Sequence, residues 1–148
     1  MLLYGDYHTH TIFSHGKGRV EDNVRTAKEM GLVQIAITDH GLKHIAFGLK
    51  KRKMPKYTQE IKEAREKYLF DVLKGVEANI ISIDGQIDMT DEEMEQFDII
   101  LCGYHKFIRP KSLKDFLVFL ENTNLSFCNL EIPTKGIFIK CLDKKLKI

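Results

Sequence analysis

The segment Asp6-Tyr7-His8-Thr9-His10-Thr11-Ile12-Phe13-Ser14-His15-Gly16 carries three of the chain's six histidines within eight residues. His8 and His10 are two apart, so on a β-strand both imidazoles face the same side, and His15 follows on the next loop. Clustered neutral imidazoles are good ligands for a divalent transition metal; the plainer alternative is a histidine-bearing strand that packs without one. Further candidate ligands recur along the chain: Asp39-His40, Glu77 and His105. A carboxylate such as Glu77 can bridge two ions. Two ions a few Å apart can lower the pKa of a bound water and steady both oxygens of an in-line phosphoryl displacement. There is no Gly-x-Ser-x-Gly elbow and no Gly-rich P-loop, so neither a nucleophilic serine nor a nucleotide cradle is supported.

These residues need elements to bring them together. Short apolar runs alternate with amphipathic charged segments. Strands are expected over Leu2–His8, Val33–Thr38, Phe70–Ile80 and Asp98–His105. Helices are expected over Glu21–Met30, with Gly31 ending the first, over Tyr57–Leu69, from Thr90 with Glu93 completing a capping box, and over Ser112–Glu121. Four such alternations predict a parallel β/α architecture with right-handed crossovers. Each candidate ligand then falls at the C-terminal end of its strand, where β/α folds gather their sites. The rhythm breaks in residues 122–148, where strand-like pieces surround Pro133 and Gly136 before a basic end. The run Lys50-Lys51-Arg52-Lys53-Met54-Pro55-Lys56 reads as a solvated basic loop.

Composition sets the outer limits. A chain of 148 residues with 43% hydrophobic and 30% charged residues is of ordinary globular type. A formal charge of +2 is too small to argue for nucleic acid. Cys102, Cys128 and Cys141 are widely spaced and odd in number, which fits a reducing compartment rather than a disulfide framework. No apolar run is long enough for a membrane span, and Met1–Asp6 lacks the basic-then-apolar pattern of a signal peptide. The expectation is a cytoplasmic protein.

At this point the chain resembles a known family, the PHP family, named for its polymerase and histidinol-phosphatase members. The matching stretches are Asp6-Tyr7-His8-Thr9-His10-Thr11 with Ser14-His15-Gly16, then Ile37-Thr38-Asp39-His40-Gly41, Gly75-Val76-Glu77-Ala78-Asn79 and Gly103-Tyr104-His105. Asp39-His40-Gly41-Leu42-Lys43-His44 looks most like the stand-alone phosphoesterase branch. The resemblance covers about residues 1–121 and leaves 122–148 as a divergent tail. It implies a distorted (β/α)7 TIM-like barrel, here partial with about four βα units, and up to three Zn, Mn or Fe ions at the strand ends. By that analogy His8, His10 and Glu77 hold one ion, Glu77 with His105 a second, and His15 with His40 the third. A metal-activated water, rather than a side chain, attacks the phosphorus of a small phosphorylated substrate. Asp39 would orient a ligand or serve as a structural cap; Lys43 would face substrate phosphate or remain surface charge. His44 reads as a loop residue, and Tyr7 and Tyr104 as barrel-packing neighbours turned away from the ligands.

The chain also departs from the family. Full-length relatives supply a further His and an Asp-x-His pair late in the barrel, yet no histidine follows His105 and neither Asp115 nor Asp143 begins such a pair. Four βα units do not close a ring, so the expectation is a truncated barrel with reduced or no activity, for which pairing of two copies would cover open strand edges. A degenerate form that binds metal or a partner without catalysis is the alternative; a polymerase-associated nucleic-acid module is disfavoured.

Overall fold

Val20, Val24 and Ala27 fall on one stripe of a ten-residue helix, α1 (Val20–Glu29), and all three are buried. Met54, Tyr57, Ile61 and Ala64 form the corresponding stripe of α2 (Met54–Tyr68). Both stripes pack on one face of a sheet built from β1 (Gly5–Thr9), β2 (Gln34–Ile37), β3 (Asp71–Asn79), β4 (Ile99–Gly103) and β5 (Ile137–Cys141). A short helix, α3 (Asp91–Met94), precedes β4. The computed structural model describes residues 4–44, 46–81, 86–103 and 137–141. The helix expected over 112–121, the strand-like piece at 126–130, Tyr104 and His105 lie outside them.

The sheet order is β1-β2-β3-β4-β5, with the first four strands parallel. Strands that neighbour one another in sequence order, without the reversal of a doubly wound sheet, wind in one direction as a barrel does. The result is a curled, four-strand parallel half-barrel of mixed α/β type. β5 runs antiparallel to β4, from Ile99↔Cys141 to Gly103↔Ile137, so the change of rhythm after residue 121 is also a change of strand direction.

Residue alternation assigns the two faces. Ile35, Ile37, Val72, Val76, Ala78, Ile100 and Cys102 join the helix-side core. Ala36, Ile99 and Leu101, with Tyr7 and Leu73 packed on them, line the other, inner face. Glu77 is four residues on from Leu73 and therefore also looks inward.

Two expectations are corrected. The basic run is no loop: Lys51–Lys53 form a 3-10 turn that feeds directly into α2. α2 starts at Met54 rather than Tyr57 because Pro55 suits the first helical turn, where its missing N–H is not needed. Nor do Tyr7 and His8 point to opposite faces. β1 pairs Asp6 with Ile35 but Thr9 with Ile37, so one extra residue bulges into β1. The Thr9 N–H displaced there donates to the Thr38 hydroxyl at 3.0 Å. Tyr7 packs into the inner cluster while His8 reaches Glu77, both on the same side of the sheet.

Among the described residues, no helix is long and apolar enough to cross a membrane.

Candidate metal centre

The parallel strands deliver their ligands to one rim. His8 lies near the end of β1 and His10 just beyond it, His40 follows β2, and Glu77 lies near the end of β3. The β2 and β3 chains stay paired at this height through a bridge between His40 and Glu77. The Gly41 N–H donates to the Glu77 carbonyl and the Glu77 N–H to the Asp39 carbonyl.

One oxygen is the hub. Glu77 Oε2 lies 3.2 Å from His8 Nε2, 3.4 Å from His10 Nε2 and 3.0 Å from His40 Nδ1. His8 Nε2 and His10 Nε2 are 3.1 Å apart. Ligand atoms about 2.1 Å from a tetrahedral ion stand about 3.4 Å from one another. The His8, His10 and Glu77 separations fit that spacing, and imidazole with carboxylate suits a borderline-soft divalent ion. His10, His15 and His40 form a second group whose ligand atoms lie within 4.8 Å of one another. Burial pushes the His10 imidazole down from 6.5 to about 4, His40, His8 and His15 push the same way, and Glu77 opposes them. His10 is therefore neutral near pH 7, the form a metal requires.

The loop after β1 is fixed from beneath by Asp39, which is fully buried. Asp39 Oδ1 accepts from the Thr11 N–H (2.7 Å) and the Ser14 hydroxyl (2.5 Å), and Oδ2 accepts from the Thr11 hydroxyl (2.6 Å). Ser14 Oγ also stands 3.3 Å from His10 Nδ1. From α1, Asn23 Nδ2 donates to the His10 carbonyl at 3.1 Å. Gly16 folds back so tightly that a Cβ there would sit 2.4 Å from the His10 carbonyl oxygen. Only glycine allows that approach.

Of the other expected site residues, Lys43 is half exposed, its Nζ 3.9 Å from Glu93, which also pairs with Lys51 at 2.6 Å. His105 lies outside the described residues. His44 lies outside the regular elements and in neither ligand group, as a loop residue would, while its ring stacks on His40 with centroids 4.3 Å apart and its Nδ1 accepts from the Phe47 N–H. Reasoning from sequence gave no role to Thr11, Ser14 or Asn23. Ser14 stood in the matching stretch, four residues after His10, and that short separation was the available signal.

A parallel half-barrel whose strand ends gather imidazoles around one buried carboxylate defines the class: a β/α protein with a side-chain cluster that could hold a metal. Comparison with known proteins narrows it. The chain matches the PHP domain over residues 6–130 and belongs to that family. It is 34% identical over 115 residues to a probable phosphatase of Shewanella putrefaciens, a match covering 74% of this chain and 42% of the relative. A probable phosphatase of Shewanella piezotolerans is 34% identical over 118 residues, covering 76% of this chain and 44% of that protein. The chain thus spans less than half the length of these curated relatives.

Proposed function

We propose that this chain carries the ion-holding part of a PHP-type phosphoesterase that hydrolyses a small phosphorylated substrate in the cytoplasm. The observation that supports it most is the placement of Glu77 Oε2 within 3.4 Å of three imidazole nitrogens drawn from β1, the loop after it and the segment after β2. The curated relatives' description as probable phosphatases points to the same chemistry.

In this reading the four parallel strands are the first part of a (β/α)7 barrel. His8, His10 and Glu77 hold one ion, Glu77 and His105 a second, and His15 and His40 a third, the metals being Zn, Mn or Fe. Bound ions supply Lewis-acid polarisation of the phosphoryl oxygens and acidify a water in the site. The chain's own residues do the rest. Glu77 presents negative charge from a nearly dry position, its side chain only 4% exposed, which strengthens its attraction for cations. The neutral His10 offers a lone pair without competing for protons. Asp39 keeps the loop bearing His10 and His15 in place. Lys43, three residues after His40 and half exposed, meets the substrate phosphate once it turns from Glu93.

The test is hydrolysis of p-nitrophenyl phosphate by the purified chain with Mn2+ or Zn2+, beside metal analysis. Turnover that disappears with EDTA and in His8→Ala and Glu77→Ala supports the reading. Stoichiometric metal uptake without turnover assigns the chain to the non-catalytic alternative, and absence of uptake overturns the metal reading altogether.

A further inference from the structure

We infer that Ser14, held by Asp39, locks His10 in the Nδ1–H tautomer and thereby commits His10 Nε2 to the ion shared with His8 and Glu77. What Nε2 binds rests on the metal reading above, whereas the proton assignment stands on the chain's own hydrogen bonds.

An ionised carboxylate only accepts, and Asp39 is met by three donors: the Thr11 N–H, the Thr11 hydroxyl and the Ser14 hydroxyl. The Thr11 oxygen receives the Phe13 N–H at 3.2 Å, so its own proton is free to point at Asp39. Ser14 has a single proton, and the 2.5 Å contact with Asp39 Oδ1 takes it. Only lone pairs then remain on Ser14 Oγ to face His10 Nδ1 at 3.3 Å, so that nitrogen must carry hydrogen. The opposite nitrogen is left with its lone pair, 3.1 Å from His8 Nε2 and 3.4 Å from Glu77 Oε2.

His10 belongs to both ligand groups, one with His8 and Glu77 and one with His15 and His40, but one lone pair serves one ion. With Nδ1 engaged by Ser14, the lone pair left to His10 is on Nε2, the nitrogen that stands beside His8 Nε2 and Glu77 Oε2 of the first group. Ser14 and Asp39 are thus positioning residues. They act through His10 by setting both its ring orientation and its proton, as outer hydrogen bonds do for metal-bound histidines generally.

Long-range 1H–15N correlation NMR on metal-free, 15N-histidine-labelled protein at pH 7.5 reads the tautomer without any substitution. Nδ1 of His10 should show the shift of a protonated ring nitrogen and Nε2 that of an unprotonated one, the reverse of the form that predominates in free neutral histidine. In Ser14→Ala the proton should move to Nε2, and Zn2+ affinity, measured against a chromophoric chelator, should fall about 10–100-fold. Ser14→Thr should restore both. A proton on Nε2 of His10 in the unsubstituted chain overturns the inference, as does Ser14→Ala with unchanged tautomer and affinity. If the unsubstituted chain takes up no Zn2+, the metal reading fails, and the NMR spectrum still decides the tautomer.

Discussion

Tyr57→Phe removes one oxygen atom from the core and tests how the two central strands are held beneath the site. β2 and β3 pair from Gln34↔Asp71 to Ile37↔Lys74, and their pairing resumes in the same register at His40↔Glu77. The Tyr57 hydroxyl enters the interval from α2, 2.7 Å from the Ile37 carbonyl and 2.9 Å from that of Gly75. Its ring is fully buried and meets Phe13 edge-on at 5.2 Å. Phenylalanine keeps the ring and that contact but withdraws the one donor from two carbonyls in a dry interior. Stranding buried acceptors costs about 1–3 kcal/mol. In a chain of this size each kcal/mol shifts Tm by about 2–4 °C, so the loss should be roughly 2–12 °C. His40 and Glu77 lie three and two residues beyond the two carbonyls, so Zn2+ affinity should weaken as well. Circular dichroism melts with and without EDTA read the stability. Tyr68→Phe is the control, since Tyr68 donates to the exposed Glu21 at 3.0 Å and its loss should change stability by no more than about 0.5 kcal/mol. A Tyr57→Phe Tm within about 1 °C of the parent would refute the claim that this hydroxyl spans the ladder.

Gly16→Ala should weaken Zn2+ binding at least about 10-fold, because the new Cβ meets backbone atoms of His10 and Thr11 at 2.4–2.7 Å and must push the His10–His15 loop off its seat; chelator competition measures it. Leu69→Gly should stabilise by about 0.5–1 kcal/mol in a thermal melt, since Leu69 sits at φ 47 with 90% of its surface exposed, giving up left-handed strain and no packing. Glu93→Gln probes pH. The hydrogen bond from Lys51, then that from the Thr90 N–H, hold the Glu93 carboxyl below its ordinary 4.5. A depressed folded pKa means stabilisation that is complete above 4.5 and lost as pH falls through the folded value. The parent should therefore melt higher than Glu93→Gln at pH 7, and the two should converge as pH drops below 4.5, as read by parallel melts.

β2, β3 and β4 were legible in the sequence because each lies in an apolar run carrying Val or Ile, whereas β1, Gly-Asp-Tyr-His-Thr, was betrayed by the alternation of its histidines rather than by an apolar run. Thr90 with Glu93 announced its capping box, and Gly31, at φ 78 after α1, announced a helix end. The run at Lys50–Lys56 misled because charge describes solvent contact rather than backbone state. Pro55, compatible with a first helical turn, was the better guide. β5 was visible only as a strand-like fragment. Its partner and antiparallel direction depend on contacts across more than thirty intervening residues, which local pattern does not encode.

At the site, type and spacing identified which residues could be ligands but not how β1 aims them. Strict alternation turns Tyr7 away from whichever face His8 serves, and on that rule one of them must leave the inner side of the sheet. The bulge between Asp6 and Thr9 lets Tyr7 fill the inner core while His8 reaches Glu77. The device carries a cost in stray backbone, met by Thr38: its hydroxyl accepts the Thr9 N–H, and its own N–H donates to the Thr9 carbonyl at 2.8 Å. Nothing local distinguishes a bulged Tyr-His pair from a regular one. The irregularity becomes necessary only once the segment after β2 supplies Thr38 and β3 supplies Glu77, so His8 and His10 converge on Glu77 with the help of contacts made 29 and 69 residues further along the chain.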